Sequence, residues 1–147
     1  MLRLWRRRYG PTSDPGSKRV SELQIVSIVD DDPFVREATR DLVSSLDVDV
    51  FAFESAQAFL QSPQLAQTCC LITDVQMPGM TGHELQLQLR ADGRRFPIIF
   101  ITAFPEKELR QRIQDAGAMG FLEKPFDGTM LLNLIREALG QRSEFAQ

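Results

Sequence analysis

From residue 23 onward the chain alternates short apolar runs with segments whose apolar residues return every three or four positions. The runs are 24–29 (Gln-Ile-Val-Ser-Ile-Val), 48–53 (Val-Asp-Val-Phe-Ala-Phe), 69–73 (Cys-Cys-Leu-Ile-Thr), 97–101 (Pro-Ile-Ile-Phe-Ile) and 118–122 (Ala-Met-Gly-Phe-Leu). Such runs, spaced by helical segments, mark repeated βα units around a parallel sheet. Segment 33–46 sets Phe34, Ala38 and Leu42 at steps of four, with Asp32 suited to the N-cap and Pro33 to the first helical position. Ser55 suits the cap of a short helix carrying Ala56 and Phe59; 105–116 carries Leu109, Ile113 and Ala116 before Gly117; 127–139 carries Leu131, Leu134, Ile135 and Leu139, with Gly140 as its stop. Segment 83–90, His-Glu-Leu-Gln-Leu-Gln-Leu-Arg, alternates with period two, as a strand would. Two parallel strands need a crossover there, and Asp92-Gly93 supplies an end, so the segment is read as a helix with Leu87 exposed.

Composition narrows the class. At 147 residues, 43% apolar and 25% charged, the chain suits one globular domain and excludes a large multidomain enzyme. The net charge of −3 conceals a division: residues 1–20 hold six Lys or Arg against one Asp (+5), and residues 21–147 hold eleven against nineteen acids (−8). An acidic body is a poor surface for phosphate backbones, so no direct nucleic-acid contact is expected from it. Residues 10–18 are rich in turn formers, which gives an expected organisation of basic tail and linker over 1–22, folded domain over 23–140 and C-terminal tail over 141–147. Residues 1–20 are read as a disordered extension and not as a membrane or nucleic-acid contact. No stretch approaches the ~18 apolar residues of a membrane span. Cys69 and Cys70 are adjacent, fit no zinc spacing, and are read as reduced core residues of a cytoplasmic protein.

In an open parallel sheet, ligands bind outside the carboxyl ends of the strands. Asp30-Asp31-Asp32 follow the first run, Asp74 the third, Thr102 the fourth and Glu123-Lys124-Pro125 the fifth, whereas the second ends in Glu54-Ser55 and contributes least. Taken singly, each has an ordinary reading as a helix cap, a loop hydroxyl or a solvated lysine. Gathered on one edge they do not, because two carboxylates ~5 Å apart repel by roughly 3 kcal/mol at an effective dielectric of 20. A cluster of Asp30, Asp31 and Asp74 calls for a cation, and a small set of oxygen ligands open to water favours Mg²⁺. A carboxylate beside Mg²⁺ is also a nucleophile towards phosphorus, with Thr102 and Lys124 placed to bind phosphoryl oxygens. The chemistry expected is phosphoryl transfer onto one aspartate.

Val-Asp-Asp-Asp-Pro at 29–33, Ile-Thr-Asp-Val-Gln-Met-Pro-Gly-Met-Thr-Gly at 72–82, Phe-Ile-Thr-Ala at 100–103 and Phe-Leu-Glu-Lys-Pro-Phe at 121–126 closely resemble the receiver domains of two-component response regulators, most nearly those of FixJ type. The resemblance covers about residues 24–140. It implies a doubly wound, flavodoxin-like α/β fold with strand order 2-1-3-4-5, the order for which a receiver protein is a standing example. It implies Asp74 as phosphoacceptor, and Asp30 and Asp31 as the acidic pair that holds Mg²⁺ together with Asp74 and the main-chain carbonyl of Gln76. Asp32 then keeps a capping role. Thr102 resembles the switch hydroxyl, Lys124 the lysine that pairs with the phosphoryl group, and Phe121 the aromatic rotamer switch; Lys124-Pro125 matches a bond that is typically cis. Gln76 and Phe104 stand where the family tunes hydrolysis, and an apolar Phe104 is expected to prolong the life of phospho-Asp74. The implied partner is a histidine kinase or histidine phosphotransfer protein, and the domain is expected to signal, not to turn over a substrate.

Other classes fit less well. A haloacid-dehalogenase-type phosphatase needs a second Asp where Gln76 stands, and the three acids after the first run would repel a flavin phosphate. A receiver-shaped module that signals without phosphorylation remains as the alternative. His83 is read as a solvated helix residue. FixJ-like regulators carry a DNA-binding domain after the last receiver helix, so the chain is either a stand-alone receiver or a piece of a longer regulator. Output is expected from the face made by 105–116, 118–122 and 127–139, including phosphorylation-dependent homodimerisation through the 105–139 face.

Overall fold

The computed structural model describes residues 24–103 and 105–146, and side chains as far as Gly140. The expectations for residues 1–22 and for Phe104 lie outside the described residues. The elements follow the expected rhythm: β1 (Ile25–Val29), α1 (Pro33–Val43), β2 (Asp49–Phe53), α2 (Ala56–Leu60), a 3-10 turn (Leu65–Gln67), β3 (Thr68–Asp74), α3 (Gly82–Ala91), β4 (Ile98–Thr102), α4 (Lys107–Asp115), β5 (Gly120–Glu123) and α5 (Gly128–Ala146). All strand pairs are parallel and the order is β2-β1-β3-β4-β5, a flavodoxin-like fold.

Helices cover both faces. Val26, Ile28, Cys70, Ile72, Ile99, Ile101 and Leu122 pack on one side with Val43 of α1 and Leu131, Ile135 and Leu139 of α5. Val29, Leu71, Ile98 and Phe100 pack on the other with Phe59, Leu85, Leu89 and Ile113 from α2, α3 and α4. Period-two alternation along buried strands produces this division, which is why the runs read as continuously apolar. Cys69 and Cys70 are free thiols, Cys70 buried in the first of these cores and Cys69 half-buried beside it.

The start signals act as read. The Asp32 carboxylate accepts from the amides of Phe34 at 2.9 Å and Val35 at 3.4 Å, with Pro33 opening α1; Ser55 Oγ accepts from the amide of Ala58. Segment 83–90 lies within a helix because Thr81 and Glu84 form a reciprocal capping box, Oγ1 accepting from the Glu84 amide at 3.1 Å and Oε1 from the Thr81 amide at 2.9 Å. Leu85 and Leu89 are buried and Leu87 is exposed, as helical spacing demands.

Three expectations are corrected. In α1 the inward face is Thr39 and Val43, with Val35 and Leu42 half-buried, while Ala38 is exposed and Phe34 is 86% exposed. Val35, Thr39 and Val43 form a competing stripe of β-branched residues, and counting Thr as polar hides it. Gly140 does not stop α5, which runs on to Ala146. Glycine ends a helix by turning left-handed, as Gly117 does at φ 99°, and Gly140 is not among the positive-φ glycines. His83 is half-buried, not solvated: its Nδ1 lies 2.9 Å from Gln86 Oε1, and buried Gln86 donates from Nε2 to the Ile113 carbonyl at 3.0 Å, tying α3 to α4.

Gly82 opens α3 where no side chain fits, since a Cβ there would overlap the Asp74 carbonyl oxygen and press on Val75 at 3.0 Å. Both are backbone, so the loop after β3 must shift to admit a methyl group. Gly82→Ala is expected to lower unfolding free energy by about 3 kcal/mol in a urea titration; a loss below about 1 kcal/mol would show that the loop yields.

Candidate functional site

Each sheet strand delivers its last residues to the same edge. The ladder hydrogen bonds run past the strand ends, with the amides of Asp30, Val75 and Lys124 donating to the carbonyls of Phe53 (3.1 Å), Ile101 (3.1 Å) and Thr102 (2.8 Å). Asp74 is therefore the final residue of β3 and Thr102 of β4, rather than loop residues beyond them. The carboxylates of Asp30, Asp31 and Asp74 each offer an oxygen within 4.8 Å of the others. Asp30 and Asp74 are buried, at 4% and 7% exposure, and Asp31 opens to solvent.

Fixed donors orient the two buried carboxylates. Asp30 Oδ1 accepts from the Asp32 amide at 2.9 Å, and Asp74 Oδ1 accepts from the Gln76 amide at 3.4 Å. Lys124 Nζ stands 3.5 Å from both Asp30 Oδ2 and Asp74 Oδ2, so one ammonium serves two anions. Burial pushes the Asp30 and Asp74 carboxyls above the ordinary range, and the Lys124 charge opposes but does not cancel that rise. The cluster retains a deficit of positive charge.

This donor set fits Mg²⁺. It offers only oxygen, from few residues, with one carboxylate facing water, and the mutual repulsion of its acids is relieved by a divalent cation. Asp30, Asp31 and Asp74 would hold the ion. Asp74 keeps one oxygen towards Lys124, and Thr102 lies buried at the end of the neighbouring strand.

Of the expected site residues, Asp30, Asp31, Asp74 and Lys124 are brought into one group, and Thr102 ends the adjacent strand. Gln76 is exposed two residues past Asp74. Phe121 is not part of the acidic group: it is half-buried on the α4 side of β5, in register with Phe100, and the two rings stack at 6.4 Å with 25° between planes. The Lys124-Pro125 bond is cis. Sequence reading passed over Arg36, whose Nη1 donates to the Asp30 carbonyl at 2.8 Å and braces the end of β1. Its place one helical turn after the Asp32 cap is the signal that could have found it.

The profile of the response regulator receiver domain matches residues 26–136. The chain is 41% identical over 115 residues to the response regulator protein TodT of Pseudomonas putida, covering 78% of this chain and 51% of TodT. It is 37% identical over 119 residues to the transcriptional regulatory protein FixJ of Azorhizobium caulinodans, covering 81% of this chain and 56% of FixJ. The chain thus spans about half the length of the curated relatives it matches. Among solved structures, response regulator StyR superposes with a TM-score of 0.77 at 42% identity, over 85% of this chain and 63% of StyR. The FixJ-N structure gives 0.70 at 32% identity, over 78% of this chain and 92% of FixJ-N.

Proposed function

Because this chain belongs to the response regulator receiver domain family, a signalling domain with a phosphoacceptor role in two-component systems, we propose that Asp74 takes a phosphoryl group from a phosphohistidine donor with the help of Mg²⁺. The observation that carries this reading is the three-carboxylate cluster with Lys124 Nζ 3.5 Å from two of its members.

The roles follow from position. An Asp74 carboxylate oxygen attacks phosphorus, the bond from phosphorus to the donor's imidazole nitrogen breaks, and that nitrogen keeps the electron pair. Asp30, Asp31, Asp74 and the Gln76 carbonyl would hold Mg²⁺, which would supply charge neutralisation for the incoming phosphoryl oxygens. Lys124 turns from the Asp74 carboxylate to a phosphoryl oxygen, and the Thr102 hydroxyl moves towards another. That movement frees room for Phe121 and alters the face made by α4, β5 and α5, through which partners, including a second copy of this chain, would read the state. Gln76, exposed beside Asp74, tunes access of water to the acyl phosphate.

Incubation with Mg²⁺ and acetyl phosphate tests the reading: intact mass should rise by one phosphoryl group, and fragmentation should place it on Asp74. No mass gain would favour a module that signals without phosphorylation.

Two exposed apolar side chains support a protein as the donor. Phe34, 86% exposed, and Met130, 53% exposed, stand in the first turns of α1 and α5, the helices that begin just past Asp31 and Lys124. Exposed apolar groups around a charged centre suit a docking surface. Phe34→Ala should slow transfer from a phosphohistidine protein that loads the parent by about tenfold, as loss of a contact residue worth over 1 kcal/mol does. The rate with acetyl phosphate should not change; equal slowing with both donors would place Phe34 in the chemistry instead.

A further inference from the structure

One arginine of α4 grips the outer side of β5 at two points. Phe121 and Glu123 are two residues apart, so their side chains leave β5 on the same side. Arg110 meets both, with Cζ 4.8 Å from the Phe121 ring centroid and Nη1 3.6 Å from Glu123 Oε2. The ring also stacks on Phe100, which is fully buried and cannot give way. A fixed aromatic ring and a planar cation therefore define where Phe121 sits. Glu123 lies in register with Thr102, and the next residue is Lys124, so the grip falls on the strand that borders the acidic cluster.

We propose that Arg110 is a positioning residue for Phe121, holding the ring in its half-exposed setting, so that the ring turns inward only when the guanidinium releases both the ring and Glu123. The proposal rests on the reading of Thr102 and Phe121 as a switch and supplies its restraint. The strength of the contact suits that use. The Arg110–Glu123 pair is well exposed, with side-chain exposures of 41% and 56%, and such pairs contribute little. A cation over an aromatic ring at an exposed site shifts an equilibrium by about two- to fivefold. That is enough to bias two settings and too little to lock one, since a contact made in only one state moves the balance by its own differential strength.

Four versions of the full chain test this: parent, Arg110→Ala, Phe121→Ala and the double variant. Each is titrated with beryllofluoride in the presence of Mg²⁺ and followed by amide NMR spectra. Arg110→Ala should reach half-saturation at about two- to fivefold lower beryllofluoride than the parent, and the substitution should have no effect in the Phe121→Ala background. A second measurement needs no beryllofluoride: three-bond couplings of labelled Phe121 should show one dominant side-chain rotamer in the parent and averaging in Arg110→Ala. An unchanged titration, an equal effect without the Phe121 ring, or unmoved couplings would each overturn the proposal. A parent that ignores beryllofluoride overturns the phosphoacceptor reading instead, and the couplings then decide the role of Arg110 alone.

Discussion

Asp74→Asn is expected to take up no phosphoryl group from acetyl phosphate and Mg²⁺, and in metal-free buffer at neutral pH to be more stable than the parent. The first outcome follows from chemistry, since an amide oxygen is not the nucleophile that forms an acyl phosphate. The second follows from electrostatics. In the fold, Asp74 lies within 4.8 Å of two other carboxylates and is 7% exposed. Removing its charge ends the cost of burying that charge and its repulsion with Asp30 and forfeits the attraction to Lys124; because burial outweighs the Lys124 charge, the net is a gain of about 1–2 kcal/mol.

The sign of the pH dependence follows from the raised carboxyl. Between the ordinary carboxylate value and the raised one, the folded protein binds more protons than the unfolded chain, so the parent loses stability as pH rises through that window. Asn carries no such titration. The advantage of Asp74→Asn is therefore full at neutral pH and disappears as pH falls below about 4, where the aspartate is protonated in both states. In thermal scans the variant should melt about 4–8 °C higher at neutral pH, and the two curves should converge in acid. A variant that melts lower at neutral pH would mean that the Lys124 contact outweighs the cost of burying the charge.

Lys124→Met should have the second large effect, and in the opposite direction on stability. Its ammonium pairs with both buried carboxylates, 3.5 Å from each. Removing one partner of a buried charge group leaves the others uncompensated and costs about 3 kcal/mol. The rate of phosphorylation by acetyl phosphate should fall about 10²–10³-fold, the usual loss when one donor to a developing charge is removed. Millimolar Mg²⁺ should recover much of the stability and little of the rate. A rate within tenfold of the parent would remove Lys124 from the transfer step.

The residues behind these expectations are legible in the amino-acid sequence. Asp30, Asp31, Asp74, Thr102 and Lys124 each close an apolar run, and parallel strands deliver run ends to one edge, so position along the chain translated directly into position in space. Caps were equally readable at Asp32 and Ser55, which act on amides two or three residues away, whereas the Thr81–Glu84 capping box of α3 was passed over. What failed was the choice between two faces of one helix. Phe34 looked like a core residue and is 86% exposed, because its stripe and that of Thr39 and Val43 share a period and only the sheet decides between them. Gly140 failed for a related reason: glycine permits a helix to end and does not compel it. The Gln86 bond to Ile113 and the Arg110 contact with Phe121 join residues on different elements, and no local pattern encodes such pairings.

The shortness of β5 has a consequence for how a signal crosses the molecule. Phe121, which faces α4, and Lys124, which faces the carboxylates, are three residues apart, about 10 Å of extended chain. A strand is stiff along its axis and alternates sides with every residue, so a twist at one end is a twist at the other with the opposite face showing. No relay of side chains through the core is required, nor any long lever arm. On the proposed reading, the input at Lys124 and the output at Phe121 lie on opposite sides of one short ribbon, β5 and the residue that follows it.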